Sequence, residues 1–228
     1  MPEKKFELSA PLAILLSGVL VAGAILFVHY NPTSTAEANP NTQLPANVNV
    51  PKATADEHIV GSPDAEIVLV EYSDFQCPYC TMIYPTLRQL VEESNGSIAW
   101  VMRNYPLTSI HPQAMPAALA AECITEQLGN EGWWKFADAV FANQSKMNPS
   151  YYAQLAGEFG ANVETFNQCV SSQKYADKIN QQSLDAQQNG GTGTPFTVIV
   201  GHGSQVPIPG ALPYAQFVSV INAIKARQ

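Results

Sequence analysis

The sequence predicts an α/β domain assembled from a βαβ half, a helical insertion and a ββα half. Three observations predict it. Ile67-Val68-Leu69-Val70 is a continuous apolar, β-branched run followed by turn residues, the pattern of a central strand buried on both faces. Residues 112–189 contain no strand run and are rich in alanine and other helix formers. After them PFTVIV, at 195–200, restores strand character before a final helical stretch.

The elements follow in order. Residues 10–30 contain no Asp, Glu, Lys or Arg, and their core LAILLSGVLVAGAILFV has 17 residues. At 1.5 Å per residue the stretch covers about 30 Å, the hydrocarbon thickness of a bilayer. Lys4 and Lys5 precede it and the next basic residue is Lys52. That bias predicts a cytoplasmic tail at 1–9, a single-pass anchor at 10–30 and everything after it outside. The competing reading is a cleaved signal, with Ala36-Glu37-Ala38 as a small-x-small site and a secreted or periplasmic product. Either way the domain occupies an oxidising, disulfide-permissive space. Residues 31–57 read as a flexible tether, because Pro32, Pro40, Pro45 and Pro51 interrupt any helix and no apolar period appears.

The globular pattern begins near residue 58. After the 67–70 strand, Ser73-Asp74-Phe75-Gln76 makes a turn and a helix starts at about Pro78. Cys80, Ile83, Leu87, Leu90 and Val91 follow the helical period, with Pro85 expected to kink it. Asn95-Gly96 ends this helix, and residues 97–103 (SIAWVMR) form the next strand. Four or five short helices fill 112–189, one opening at Asn148-Pro149-Ser150 and the last closing at Gly190-Gly191. The strand at 195–200 turns through Gly201-His202-Gly203-Ser204 into a short strand near 205–207, and a helix runs from about 213 to 226.

Composition bounds the function. Hydrophobic residues make up 46% of the 228, enough for a large core, and charged residues only 13%. The net charge of −8 argues against nucleic acid and against docking on anionic lipid by a basic patch.

The chemistry centres on Cys77-Pro78-Tyr79-Cys80, where a buried strand turns into a helix. Cys77 then lies at a helix N-terminus, where free backbone N–H groups and the positive dipole end favour thiolate. Pro78 suits the first turn, since its missing N–H is not needed there. Cys80 lies one turn further in, more shielded and close enough to form a disulfide. Cys77 is therefore the expected accessible nucleophile and Cys80 its resolving partner. The rival reading is half of a zinc site. It lacks a second close pair, because Cys123 and Cys169 are singletons and His29, His58, His111 and His202 are scattered. Neither a metal nor a cofactor is expected. Pro195 is read either as a strand boundary or, beside the C-x-x-C, as a cis proline whose turn presents the Thr194 backbone to an extended chain. Trp133, Trp134, Phe136 and Phe141 fall at helical spacing and read mainly as core, with a substrate-contacting patch as the alternative. The 106–112 segment (PLTSIHP) lies at the rim of the site, with His111 read as opening the next helix.

EYSDFQCPYC after a buried strand, the helical insertion, and GTP before the second-half strand resemble the thioredoxin fold of DsbA-type thiol–disulfide oxidoreductases, notably membrane-tethered relatives. The resemblance covers about residues 57–228. It implies a central mixed sheet flanked by helices, with Cys77 as attacking and attacked sulfur, Cys80 resolving, and Pro195 as a cis proline beside them. Pro78, Tyr79 and Thr194 would then contact substrate. Glu71 would sit under the active site and help protons reach and leave Cys80; the plain alternative is a strand-end glutamate reaching solvent. Cys123 and Cys169 would form a structural disulfide, with a redox relay or free thiols as alternatives. The implied activity is oxidation of reduced exported proteins, with a quinone-linked membrane oxidase (DsbB-like or VKOR-like) restoring the disulfide. A reductase or isomerase on the same fold, and a tethered chaperone, are the rivals.

Overall fold

Residues 48–227 are described in a computed structural model of the chain. The expected tail at 1–9, the anchor at 10–30 and most of the tether lie outside the described residues. Among the described residues no helix is long and apolar enough to cross a membrane.

The elements run β1 (Ile59–Val60), β2 (Ile67–Ser73), α1 (Pro78–Glu92), β3 (Ile98–Asn104), α2 (Ala114–Ala142), a 3-10 turn (Gln144–Lys146), α3 (Pro149–Glu158), α4 (Val163–Ser171), α5 (Ala176–Gln188), β4 (Phe196–Gly201), β5 (Ser204–Pro209) and α6 (Tyr214–Lys225). The strands form one mixed sheet in the order β1-β3-β2-β4-β5. β2 and β3 are parallel, with Ile67 opposite Ile98 and Ser73 opposite Asn104. The other pairs are antiparallel. Every residue of β2 and β3 is buried, because helices or chain cover both faces. The strand period of two sends Ile67 and Leu69 to the face shared with α1, and Val68, Val70 and Tyr72 to the opposite face. Glu71 follows Leu69 and so points under α1.

α1 starts on Pro78 and buries Cys80, Ile83, Tyr84, Leu87, Leu90 and Val91. Pro85 lies inside it. Its exit reverses through Asn95 and Gly96, both at positive φ (52° and 85°), which glycine adopts without a Cβ clash. The insertion spans α2 to α5. α2 is two helices joined at Gly129, whose φ of 66° and ψ of −163° break the helical path. Trp133 and Phe136 are fully buried, and Trp134 and Phe141 nearly so. Phe75 packs against Trp133, Phe136 and Phe141, so this cluster is core, as expected.

A disulfide joins Cys123 on α2 to Cys169 on α4, with Cα atoms 5.9 Å apart. It closes a loop between cysteines 46 positions apart, and loop-closure entropy gives such a bridge about 4 kcal/mol. Replacing both cysteines with alanine is expected to lower unfolding free energy by about that amount in urea titrations. Exchange at Cys77 should persist. An unchanged urea midpoint would mean the bridge contributes nothing.

Two parts of the domain depart from what the sequence suggests. The tether does not extend to residue 57, because Val50 and Ala53 are buried against the face of the sheet opposite α1. The amide of Asn49 donates to Asn189 Oδ1 (2.6 Å) and that of Val50 to Gln205 Oε1 (2.7 Å). Arg103 donates to the Pro51 carbonyl and pairs with Glu57. Side chains elsewhere thus satisfy a backbone that forms no regular structure of its own. Two apolar residues among prolines show no period, so this docking leaves no pattern to read. β1 is missing from the sequence reading for the same reason: two residues are too few to display alternation.

The insertion is fastened to the sheet by a buried polar cluster. Glu122 on α2 accepts from Asn104 Nδ2 (2.8 Å) and Lys178 Nζ (2.7 Å), and its Oε1 lies 2.9 Å from His58 Nε2. Burial pushes the Glu122 carboxyl up, but His58 and Lys178 outweigh it and hold it at about 2. The His58 ring stacks on Trp133 at 4.3 Å. The charge is therefore compensated inside the core, which a buried carboxylate requires.

Candidate active site

Cys77 is the N-cap residue of α1, with an extended backbone (φ −72°, ψ 124°) and Pro78 as the first helical residue. A tight turn delivers it there: the Cys77 amide donates to the Asp74 carbonyl at 3.0 Å. Thr194–Pro195 is a cis peptide immediately ahead of β4, and the Thr194 carbonyl lies 3.3 Å from Cys77 Sγ. The topology that places β4 beside β2 therefore brings together two segments 117 residues apart.

The two sulfurs sit in opposite environments. The Cys77 thiol is lowered to about 5, chiefly because Cys80 donates to it. The backbone amides of Cys80 and Tyr79 add to this effect, against burial. The contact with the Thr194 carbonyl favours the protonated thiol, and the net shift is still downward. Cys80 is raised well above the ordinary thiol value, first by burial, then because its proton is shared with Cys77, and by the nearby charge of Glu71. The Asp74 amide faces Cys80 Sγ at 3.5 Å.

Glu71 is fully buried on β2. The Trp100 indole donates to its Oε2 at 2.9 Å, while Oε1 has no hydrogen-bond partner among the described residues. Thr197 faces it across the β2–β4 ladder, its hydroxyl also without a partner among the described residues. Burial pushes Glu71 up to about 7, helped by the charge of Cys77 and opposed by Ser73 and Trp100. The strand-end alternative does not hold, because Glu71 sits mid-strand, within β2.

One expectation is corrected. Cys77 is not the accessible sulfur that its place at a helix start suggests: only 3% of the residue is exposed, against 0% for Cys80. Its sulfur is turned in against Thr194, and Gln144 covers its carbonyl, donating to Phe75 O (2.9 Å) and Cys77 O (3.0 Å). Exposure has moved to the neighbours: Pro78 is exposed, Tyr79 is 60% exposed and Met82 61%. Pro195 is buried and Thr194 half-buried. Cys123 and Cys169 lie in the insertion as a disulfide, apart from this group.

Sequence reasoning misses three members of the surroundings. Asp74 is buried and bonded to His111, a residue that the sequence assigns only to the opening of a helix. Gln144 reaches the turn from the end of the insertion. Trp100 holds the buried carboxylate. Only Asp74 carries a local clue, because an Asp two residues before a backbone N–H is an Asx-turn pattern. Among the described residues no group of three or more His, Cys, Asp or Glu side chains is placed to hold a metal ion.

A family model described as Thioredoxin matches residues 53–223. Among solved structures, Pseudomonas aeruginosa DsbA2 is 25% identical, with a TM-score of 0.63 over 75% of this chain and 96% of that one. Wolbachia pipientis alpha-DsbA1 (23% identical, TM-score 0.64, 77% and 94% covered) and Bacillus subtilis BdbD, oxidised (19%, 0.64, 78% and 98%), share the fold. Curated relatives bear a different name. Na(+)/H(+) antiporter NhaA 3 of Salinispora tropica is 32% identical over 152 residues, which is 67% of this chain and 23% of that protein. The chain thus spans about a quarter of the length of the curated relatives it matches.

Proposed function

The chain belongs to the thioredoxin family with the fold of DsbA-type proteins, and from that premise we propose that this protein disulfide oxidoreductase works as a dithiol oxidase. It donates the Cys77–Cys80 disulfide to reduced exported proteins. The observation that carries the reading is the placement of the two sulfurs at one helix N-terminus: Cys77 is the N-cap, with its Sγ against Thr194 beside the cis Pro195, and Cys80 is fully buried one turn inside, a placement that holds Cys77 low and Cys80 high.

In the first step a substrate thiolate attacks Cys77 Sγ. A mixed disulfide forms, the Cys77–Cys80 bond breaks, and Cys80 leaves with the electron pair. Its high proton affinity means that it takes a proton, and Glu71, titrating near neutrality beneath it, supplies one. A second substrate thiolate then attacks the substrate sulfur and expels Cys77 as thiolate. The substrate loses two electrons and the enzyme gains them. A thiolate stabilised on Cys77 is a good leaving group and favours the reduced enzyme, so its disulfide is oxidising. With Sγ turned inward, the client must lie extended along Thr194–Pro195, between Pro78 and Tyr79 on one side and the Thr194 backbone on the other. A quinone-linked membrane oxidase of DsbB or VKOR type would restore the disulfide. The 10–30 segment would hold the domain near that partner on the extracytoplasmic side, where the Cys123–Cys169 bridge is stable. The antiporter name of the curated relatives describes proteins about four times the matched length and assigns no transport to this domain.

Equilibration with glutathione buffers tests the direction of exchange. A potential near the ~−120 mV of DsbA supports the oxidase, and one near the ~−270 mV of thioredoxin makes the protein a reductase. Alkylation of the reduced protein supplies a second check. Cys77 should react with iodoacetamide with a midpoint at a pH of about 5, and Cys80 should stay unmodified. A midpoint near that of a free thiol would remove the basis for the oxidase reading.

A further inference from the structure

Asp74 stands three residues before Cys77, and its side chain is 0% exposed. A carboxylate removed from water must find donors, and Asp74 finds three. The Gln76 amide donates to Oδ1 at 2.7 Å, the Leu107 amide to Oδ2 at 2.9 Å, and His111 Nδ1 lies 2.7 Å from Oδ2. An ionised carboxylate can only accept, so Nδ1 carries the proton in this contact. The Asp74 main chain is committed to the two cysteines. Its carbonyl accepts from Cys77 N and its amide faces Cys80 Sγ. One residue thus ties both cysteines to the segment between β3 and α2.

Of the three donors, two are backbone amides fixed by the path of the chain. The His111 imidazole is the side-chain donor, which a substitution removes without changing the backbone. The simpler role, opening α2, does not use the ring. The α2 N-cap is Gln113, with no side-chain cap bond, and His111 contributes only its carbonyl, to Ala114 N at 3.1 Å. Without the imidazole, Oδ2 would keep one donor, and a fully buried carboxylate would re-aim toward the space left. The Gln76 amide bond and the turn that closes on Cys77 would move with it.

We infer that His111 is a positioning residue for disulfide exchange, acting through Asp74 to fix the turn that presents Cys77 beside Cys80 and the N-terminus of α1. This rests on the reading of Cys77 and Cys80 as the exchanging pair. The ring never touches the reacting atoms, so its effect appears as a displaced sulfur.

The test compares His111→Ala, His111→Asn and His111→Gln in the full chain. Each is read by the ultraviolet thiolate absorbance of Cys77 against pH, by the rate of exchange with a cysteine-containing peptide, and by thermal unfolding. His111→Ala should raise the thiolate midpoint and slow exchange about tenfold, as expected for a reacting atom displaced by a fraction of an ångström. His111→Asn places an amide donor near the Nδ1 position and should restore both readouts. His111→Gln places its donor at the far ring position and should behave like alanine. If His111→Ala does not fold, the contrast between Asn and Gln carries the same information. Wild-type midpoints and rates in Ala and Gln would overturn the inference, as would a defect that Asn fails to relieve in a folded protein. Failure of the underlying reading looks different: wild-type Cys77 would titrate as an ordinary thiol, and Cys77→Ser would exchange as well as wild type.

Discussion

Cys77→Ser is expected to abolish disulfide exchange entirely, while Cys80→Ser is expected to retain attack and lose release. The difference follows from the environments of the sulfurs. At pH 7 a thiol with a midpoint of about 5 is almost wholly thiolate, whereas an ordinary thiol is only a few per cent ionised. A serine hydroxyl offers no such anion and cannot enter a disulfide. Cys80 is shielded and holds its proton, so it cannot stand in as the attacking group. Its contribution is to sit one helical turn away and close the ring that ejects a bound partner. Without it, Cys77 should react with oxidised glutathione or a client disulfide and stay joined to the product. Mass spectrometry under non-reducing conditions reads this directly, as an adduct on Cys80→Ser and none on Cys77→Ser. Adducts on Cys77→Ser would reverse the roles of the two sulfurs.

Much of this site is legible in the chain because its physics is local. A C-x-x-C after a four-residue apolar run puts one sulfur at a helix start and the other a turn inside, whatever the rest of the fold does. The central strand, α1, the insertion and the β4–β5 hairpin are readable for the same reason: each has its own period or turn residues. The rest depends on partners far apart in sequence. Asp74 meets His111, Gln144 reaches the turn from 67 and 69 positions away, and Glu122 meets His58 across 64. Such contacts exist only once the insertion folds back on the sheet. The near-complete burial of Cys77 belongs here too. Thr194 packs on its sulfur and Gln144 on its carbonyl, 117 and 67 positions away, and no local pattern announces either contact.

The other large effect concerns stability against pH, and Glu71→Gln should expose it. In the unfolded chain Glu71 ionises near 4.5; in the folded protein it holds its proton to about 7. Between those values the native state binds more protons, so this residue lowers stability as pH rises, and the full penalty is reached above pH 7. At about 1.4 kcal/mol per pH unit the penalty is about 3 kcal/mol. Glutamine cannot ionise and can still accept from Trp100. The variant should therefore match wild type near pH 4 and exceed it by about 3 kcal/mol above pH 7. Cys77 works in the opposite direction. Its folded thiol ionises near 5 and its unfolded thiol near 9.0, so the native state releases the proton first. Its contribution is absent below pH 5, grows with pH, and is complete above 9. In the reduced protein the two slopes oppose each other from pH 5 to 7, and the wild-type profile should be nearly flat there. From pH 7 to 9 only the Cys77 slope remains and stability should rise. In the oxidised protein Cys77 carries no charge, so the Glu71 penalty is left, less the part that the Cys77 charge adds, and stability should fall as pH rises above about 5. At pH 7 the Cys77 thiolate therefore favours the reduced form, which makes the Cys77–Cys80 disulfide more oxidising than that of an unfolded chain. Urea unfolding of both redox forms at pH 5, 7 and 9, for wild type and Glu71→Gln, measures every part of this. Parallel profiles for the two proteins would mean that the buried carboxylate ionises no differently in the folded chain than outside it.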